Sequence, residues 1–318
     1  MQSFCATLTP LSAFATPLKG DTLFGQLCWA IRNRLGEEAL NQCLEGYSCN
    51  QPFAVVADAF PENFVPLPRL PGSCYQPIKG LDRKAVKKRC WLSQTALQKP
   101  LPEWLGQAQT AAELTQGYNK LSEKHPQPHN TINRQTNTTG DNGFAPFSME
   151  QEWFVPGLSW TVYLLLDTDR ISADDCRQCL EDIGALGYGK DASIGMGKFK
   201  LEKLQAQTLP AQSNANACLT LAPCAPQGLG FDTENSFYQL FTRFGRHGDS
   251  AVHQEGKPFK NPVLLAQTAA IFYVKPPQSG YIGQGIGGNG ELSKTIKSTV
   301  HQGYAPVIAV NFNTKAGL

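Results

Sequence analysis

The chain has no apolar run approaching the ~20 residues that cross a bilayer. Its richest stretch, Val162 to Leu166, is the size of a strand. It also lacks an excess of either charge, since 28 Lys and Arg against 26 Asp and Glu leave +2. Nucleic-acid binding would therefore have to rest on local clusters rather than a global field. No basic residue precedes Lys19, so the charged opening of a secretory signal is missing, and a cytoplasmic chain without a membrane partner is predicted. The ten cysteines show no dense regular spacing, which argues for reduced thiols rather than a disulfide framework. The one CxxC, Cys176 and Cys179, falls in a helical repeat with Leu180, Ile183 and Leu186. A zinc site needs a second pair, and Cys218 with Cys224 is a poor one. Buried thiols, with no metal and no other cofactor, are predicted. Neither H-E-x-x-H nor G-x-S-x-G occurs, and the five histidines are scattered, so the common hydrolytic sets are missing.

What is present is enough apolar sequence for a sizeable core: 41% of 318 residues, a length that suggests roughly two domains. Ser3 to Leu8 alternates with Phe4, Ala6 and Leu8 on one face, and predicts a strand. A helix follows, with Leu23, Leu27, Ile31 and Leu35 at every fourth position, Asp21 or Thr22 able to cap it and Gly36 ending it. Phe53 to Ala57 reads as a second strand. From Pro61 to Pro156 the sequence is rich in Pro, Gln, Asn, Thr and Gly, and periodicity mostly disappears, which marks an insertion at about 61–156. Trp160 to Leu166 is a strand apolar on both faces, Ser172 with Asp175 opens a helix that stops near Gly187, and Lys198 to Leu204 alternates again.

Strand, helix, strand, insertion, strand, helix, strand is the split βαβ order of a ferredoxin-like domain, also the skeleton of RNA-recognition modules. The predicted fold class is thus α+β, with residues 1–204 as a first ferredoxin-like domain. Gln205 to Asn216 is a polar linker, and the rest reads as strands at Ala217 to Ala222, Phe237 to Phe244, Val263 to Val274 and Pro306 to Phe312. Residues 205–318 are expected to form a second, β-rich ferredoxin-like domain.

Gly184 to Lys190 has P-loop spacing, but Asp191 stands where Ser or Thr should hold magnesium, and the loop runs from helix to strand instead of strand to helix. Nucleotide hydrolysis is rejected. Gly285, Gly287 and Gly290 match G-x-G-x-x-G, yet no acidic residue follows Glu291 to hold a ribose. Two readings remain: a plain flexible loop, or a loop whose amides approach phosphates, with Lys294 and Lys297 just beyond. Arg69 to Lys99 holds eight basic residues against Asp82 alone, with Tyr75 and Trp91 among them. Such a run is either a solvated face or, together with Lys190, Lys198, Arg243, Arg246 and Lys294, one side of a groove for single-stranded RNA. His247 beside Arg246 is a conceivable general base of a metal-free ribonuclease, or a phosphate contact or loop cap.

Four segments in order resemble the RAMP superfamily of CRISPR RNA-binding proteins: TPLKGDTLFGQLCWAI (Thr16 to Ile31), HNTINRQTNTTGDNGFAPF (His129 to Phe147), ALGYGKDASIGMGKF (Ala185 to Phe199) and GQGIGGNGELSKTIKSTVHQGYAPVIAV (Gly283 to Val310). The length and the terminal VHQGYAPVI are most similar to the branch that holds the 5′ handle of the CRISPR RNA in type III-A effector complexes. This resemblance implies two ferredoxin-like domains, no catalytic activity, and a place between the large polymerase-like subunit and the adjacent backbone RAMP subunit. It implies handle phosphates cradled by Gly187, Gly189, Lys190, Ser193, Gly195, Gly197 and Lys198, and a protruding insertion with Ile132 and Arg134 as contacts. Gly285, Gly287, Gly288, Lys294 and Lys297 would lie near the same RNA. So would Lys19 and Gly20 at the first helix N-terminus, where a capping Asp21 competes for the amides. Alternatives are a backbone-type RAMP that cleaves target RNA with Asp21, and a guide-processing endonuclease that uses His247.

Overall fold

The computed structural model describes residues 1–78, 80, 82–140, 143–248 and 258–313. In chain order the elements are β1 (Gln2–Pro10), α1 (Gly20–Leu35), α2 (Glu37–Leu44), β2 (Ala54–Pro61), β3 (Phe64–Pro66), α3 (Arg83–Lys87), β4 (Trp91–Ser93), α4 (Trp104–Gln107) and α5 (Ala111–Leu114), then β5 (Ser122–His129), β6 (Phe147–Phe154), β7 (Trp160–Leu166), α6 (Ala173–Leu186) and β8 (Phe199–Ala206). The remainder is β9 (Ala217–Thr220), β10 (Asp232–Phe237), β11 (Leu240–Arg243), β12 (Val263–Ala266), β13 (Ile271–Tyr273), β14 (Tyr281–Gly287) and β15 (Val300–Val310). The class is α+β, and no described helix is long and apolar enough to cross a membrane.

The first sheet runs β2-β7-β1-β8, antiparallel throughout, with α1 and α6 on one face. Alternation in β1 sends Ala6 and Leu8 under these helices, against Leu23, Leu27 and Leu180. Each such side chain contributes roughly 1.5–3 kcal/mol by leaving water. Ser172 caps α6 as anticipated, accepting the Asp175 N–H at 3.0 Å. Cys176 and Cys179 are buried on that helix, and burial pushes both thiols up to about 12, so they remain protonated apolar groups.

The opposite face is covered by the insertion. Its Val65, Leu92, Leu97, Leu101 and Trp104 are buried with Cys5 and Tyr163 of the first sheet and with Leu219, Ile308 and Val310 of the second. One continuous core therefore spans the first sheet, the insertion and the C-terminal half, although the sequence of 61–156 looked largely aperiodic. The second sheet, β10-β13-β9-β15-β14, is also antiparallel. Among the described residues no helix follows position 205, so the helical layer expected of a second ferredoxin-like domain is absent there. The stretch anticipated as one strand from Val263 to Val274 is two, because residues 267–270 form a turn between β12 and β13.

A bulge in β2 joins the halves. The β2–β7 register shifts between Val56 and Ala59, which frees that stretch of β2 to face another partner. The buried Gln302 carboxamide accepts the Val56 N–H and donates to its carbonyl, both at 2.8 Å, while Asp58 N–H donates to the Leu221 carbonyl at 2.9 Å. The bulge also turns the Asp58 carboxylate toward the start of α1.

Candidate nucleic-acid interface

The N-terminus of α1 is closed from within. Lys19 occupies the cap position without a side-chain cap of its own, and the anticipated capping by Asp21 or Thr22 is replaced by a distant group. Asp58 Oδ1 accepts the Gly20 N–H at 2.8 Å, and its Oδ2 takes Lys19 Nζ at 2.7 Å and the Thr268 hydroxyl at 2.5 Å. A phosphate at this terminus would have to displace a buried carboxylate, so the expectation that Lys19 and Gly20 form an open anion site is corrected. Gly20 is glycine because a Cβ there would overlap the Val56 carbonyl.

Asp21 has no exposed side-chain surface. Arg243 Nε and Nη2 reach its two oxygens at 2.6 and 3.1 Å. His301 Nε2 stands 3.4 Å from Oδ2, within ion-pair reach but not aligned as a hydrogen bond, so Arg243 does most of the holding. Burial alone would raise this carboxyl, but His301 and Arg243 together bring it down to about 2. Asp21 is thus enclosed and ion-paired inside the protein, an arrangement that suits a structural link between α1 and the C-terminal half rather than a group presented to an RNA hydroxyl. Arg243, expected at an RNA groove, is committed to the same pair. His247 is buried, and its Nε2 bonds the Ser293 hydroxyl at 2.8 Å. Burial, with Lys260 nearby, lowers its pKa. It ties a loop in place, one of the roles expected of it from sequence, and is engaged inside the protein rather than presented as a general base.

The glycine-rich segment 187–198 is fastened to the connector between β1 and α1. Tyr188 is buried, and its hydroxyl donates to the Pro17 carbonyl at 2.8 Å. Gly197 N–H donates to Ala13 at 2.7 Å, Lys190 N–H to Thr16 Oγ1 at 2.9 Å and Lys198 N–H to Ser12 Oγ at 2.9 Å. A Cβ at Gly187, Gly189 or Gly197 would overlap Met196, Thr16 or Tyr188 respectively. In the other loop, a Cβ at Gly285 or Gly287 would meet Tyr47 or Thr299. Only Gly195 has open space around its missing side chain, with Gly288 in moderately tight contact with Ser48. The anticipated reason for these glycines is corrected accordingly: most make room for this chain's own atoms rather than for a phosphate.

What faces outward is a set of cations and small groups. Lys190, Ser193 and Lys198 are exposed on the first loop, Lys294 and Lys297 on the second, and Lys19 is half-exposed between. Arg246 is exposed with its guanidinium 5.8 Å from the Phe259 ring centre. These positions are linked through the α1 terminus: Tyr188 touches Pro17 and Lys19, Asp21 touches Arg243 and His301, Ile286 pairs with His301 across the β14–β15 ladder, and Ser293 touches His247. Of the basic run in the insertion, Lys79 lies outside the described residues. Ile132 and Arg134 stand apart, exposed at the far end of the β5–β6 hairpin. Its base joins the same connector, where Phe14 and Glu152 exchange backbone hydrogen bonds at 2.8 and 2.9 Å. Sequence reasoning missed Asp58 and Gln302, whose partners are distant in the chain.

No protein-family model matches the chain, and no curated protein matches it. Solved structures do. A Csm1–Csm4 cassette in complex with pppApA aligns at TM-score 0.58 and 14% identity, over 98% of this chain and 99% of the other. A Csm3–Csm4 subcomplex of the type III-A CRISPR-Cas interference complex aligns at TM-score 0.59 and 13% identity, over 98% and 100%. Over nearly its whole length the chain is similar in fold to Csm4 of type III-A CRISPR-Cas.

Proposed function

We propose that the chain is a guide-RNA-binding, non-catalytic subunit of a type III-A CRISPR effector complex in the cytoplasm. In this reading it anchors the 5′ handle of the CRISPR RNA and links the large polymerase-like subunit to the adjacent backbone RAMP subunit. The carrying observation is the alignment, end to end, with a chain found in one complex with Csm1 and in another with Csm3. The first sheet and its two helices serve as a ferredoxin-like domain, and the C-terminal sheet as a divergent second one.

The geometry agrees in two respects. Asp21 and His247, the residues a ribonuclease reading would use, are both occupied inside the protein. The lysines of the two glycine-rich loops point outward from a braced surface, as needed to hold a phosphate chain without chemistry. Each single-strand phosphate neutralised contributes about −0.7 to the slope of log affinity against log salt. The double variant Lys190→Ala with Lys198→Ala should therefore flatten that slope by about 1.4 and weaken assembly on guide RNA. An unchanged slope, measured by titrating labelled guide RNA at several salt concentrations, removes the loop from the interface. RNA co-purified with the chain and sequenced from its 5′ end should begin with repeat-derived nucleotides.

A further inference from the structure

We propose that the cleft between the insertion and the C-terminal sheet binds one unpaired nucleotide of the RNA, with its base stacked on Tyr238. This rests on the RNA-binding reading above and adds a base-recognition site to it. The cleft, about 770 Å³ and open to solvent, lies between Arg69 to Pro71 on one wall and Thr233, residues 236–240 and residues 267–270 on the other. That volume is in the range of small-molecule sites.

Its walls carry the three features a nucleotide needs. The Tyr238 ring is 38% exposed and rests on Phe272, with ring centres 5.2 Å apart and 26° between planes, while Phe231 meets it edge-on at 5.7 Å. One aromatic face is thus braced by the core while part of the residue stays open to solvent, an arrangement on which a base can stack. Two carboxamides flank it. Gln239 Oε1 accepts Arg69 Nη1 at 3.0 Å, which leaves its amide donors available, and the Gln267 side chain has no hydrogen-bond partner among the described residues. Donor and acceptor in one plane complement the edge of a base. Arg69 is exposed at the rim, where its remaining N–H groups suit a phosphate. No lining residue is acidic.

The floor is held firmly. Ala269 sits at φ +67°, unusual for a residue with a Cβ, and is pinned by its N–H to the Thr220 carbonyl at 2.9 Å. Thr268 donates to Asp58, the carboxylate that also holds Lys19 and the α1 terminus. One hydrogen-bonded chain thus ties the floor of the cleft to the start of α1, beside the half-exposed Lys19.

The test titrates the full chain, alone and in the assembly it co-purifies with, against single-stranded guide RNAs that each carry one abasic site. Wild type should show one position where base removal weakens binding about tenfold. Tyr238→Ala should weaken binding of the intact RNA about tenfold and lose sensitivity at that position, while Tyr238→Phe retains both; equal thermal midpoints exclude misfolding. Gln267→Ala should blunt the preference among bases there. If RNA binds but Tyr238→Ala leaves affinity and the abasic profile unchanged, the cleft is not a base site and the RNA-binding reading survives. If wild type binds none of these RNAs in either form, that reading falls, and the cleft proposal with it.

Discussion

The segment 187–198 and the β5–β6 hairpin both carry residues singled out in the sequence, and they are built in opposite ways. The segment lies flat, with its backbone donors given to Ala13, Thr16 and Ser12 and its glycines pressed on neighbouring atoms. The hairpin stands clear: β5 is exposed over most of its length, and Phe147 and Trp153 of β6 are about half exposed. It is anchored at the base, where Phe154 packs on Phe14 and Trp160 at 5.2 and 4.7 Å. A two-stranded ribbon without a core is marginal alone, whereas a surface braced by the core keeps its shape before any ligand arrives. The flat region is fixed in shape by its own chain, and the hairpin is the part whose conformation a contact can set.

If that contrast is right, damage beneath the flat region should be costly. The largest effect is expected at Asp21, because removing one member of a buried pair leaves the other charge uncompensated. Asp21→Ala should destabilise the chain by about 3 kcal/mol, toward the lower end for such pairs since Arg243 keeps some contact with water. The pH dependence has a definite sign. With the folded carboxyl at about 2 against its ordinary 3.8, the contribution of His301 and Arg243 around Asp21 is full above the ordinary value and is lost as pH falls through the folded one. About 2 kcal/mol should therefore disappear between about pH 4 and pH 2. Denaturant unfolding of Asp21→Ala should lack that acid limb, and an identical limb in both proteins would show that the pair does not hold α1 to the C-terminal half.

Two neighbouring glycines separate shape from space. Both have positive φ, +73° at Gly197 and +94° at Gly195, but a Cβ at Gly197 would strike the Tyr188 backbone, while nothing surrounds one at Gly195. Gly197→Ala should cost about 3 kcal/mol by adding a clash to the backbone penalty. Gly195→Ala should cost about 1 kcal/mol, the penalty alone. Thermal melts of the pair check this, and equal losses would mean that the loop is not fastened as described.

Much of this architecture was legible in the sequence wherever the signal was local. Alternation in 3–8, the four-residue repeat of α1, the Ser172 cap and the stop at Gly187 each follow from neighbours in the chain. What was hidden depends on partners far away. Asp58 reads as a lone acid within an apolar strand, and only the bulge reveals it as the cap of α1. Trp104 and Leu97 sit in short elements amid Pro and Gln, so no period announced the core they build. The glycines were legible as positions intolerant of a side chain, but sequence cannot distinguish a phosphate from a neighbouring carbonyl as the reason.

The smallest effect on stability is expected at the hairpin's far end, and there the contrast is sharpest. Ile132 is 53% exposed, and Arg134 makes no ion pair among the described residues. Exposed substitutions of this kind fall within about 0.5 kcal/mol, so Ile132→Ala with Arg134→Ala should melt like wild type. If the hairpin meets RNA in the assembled complex, the same double variant should lower the salt slope by about 0.7 for the lost guanidinium, while the isolated chain binds RNA unchanged. A loss of affinity already present in the isolated chain would mean that the hairpin is ordered before its partner arrives, and the division between a preorganised floor and a partner-set arm would fail.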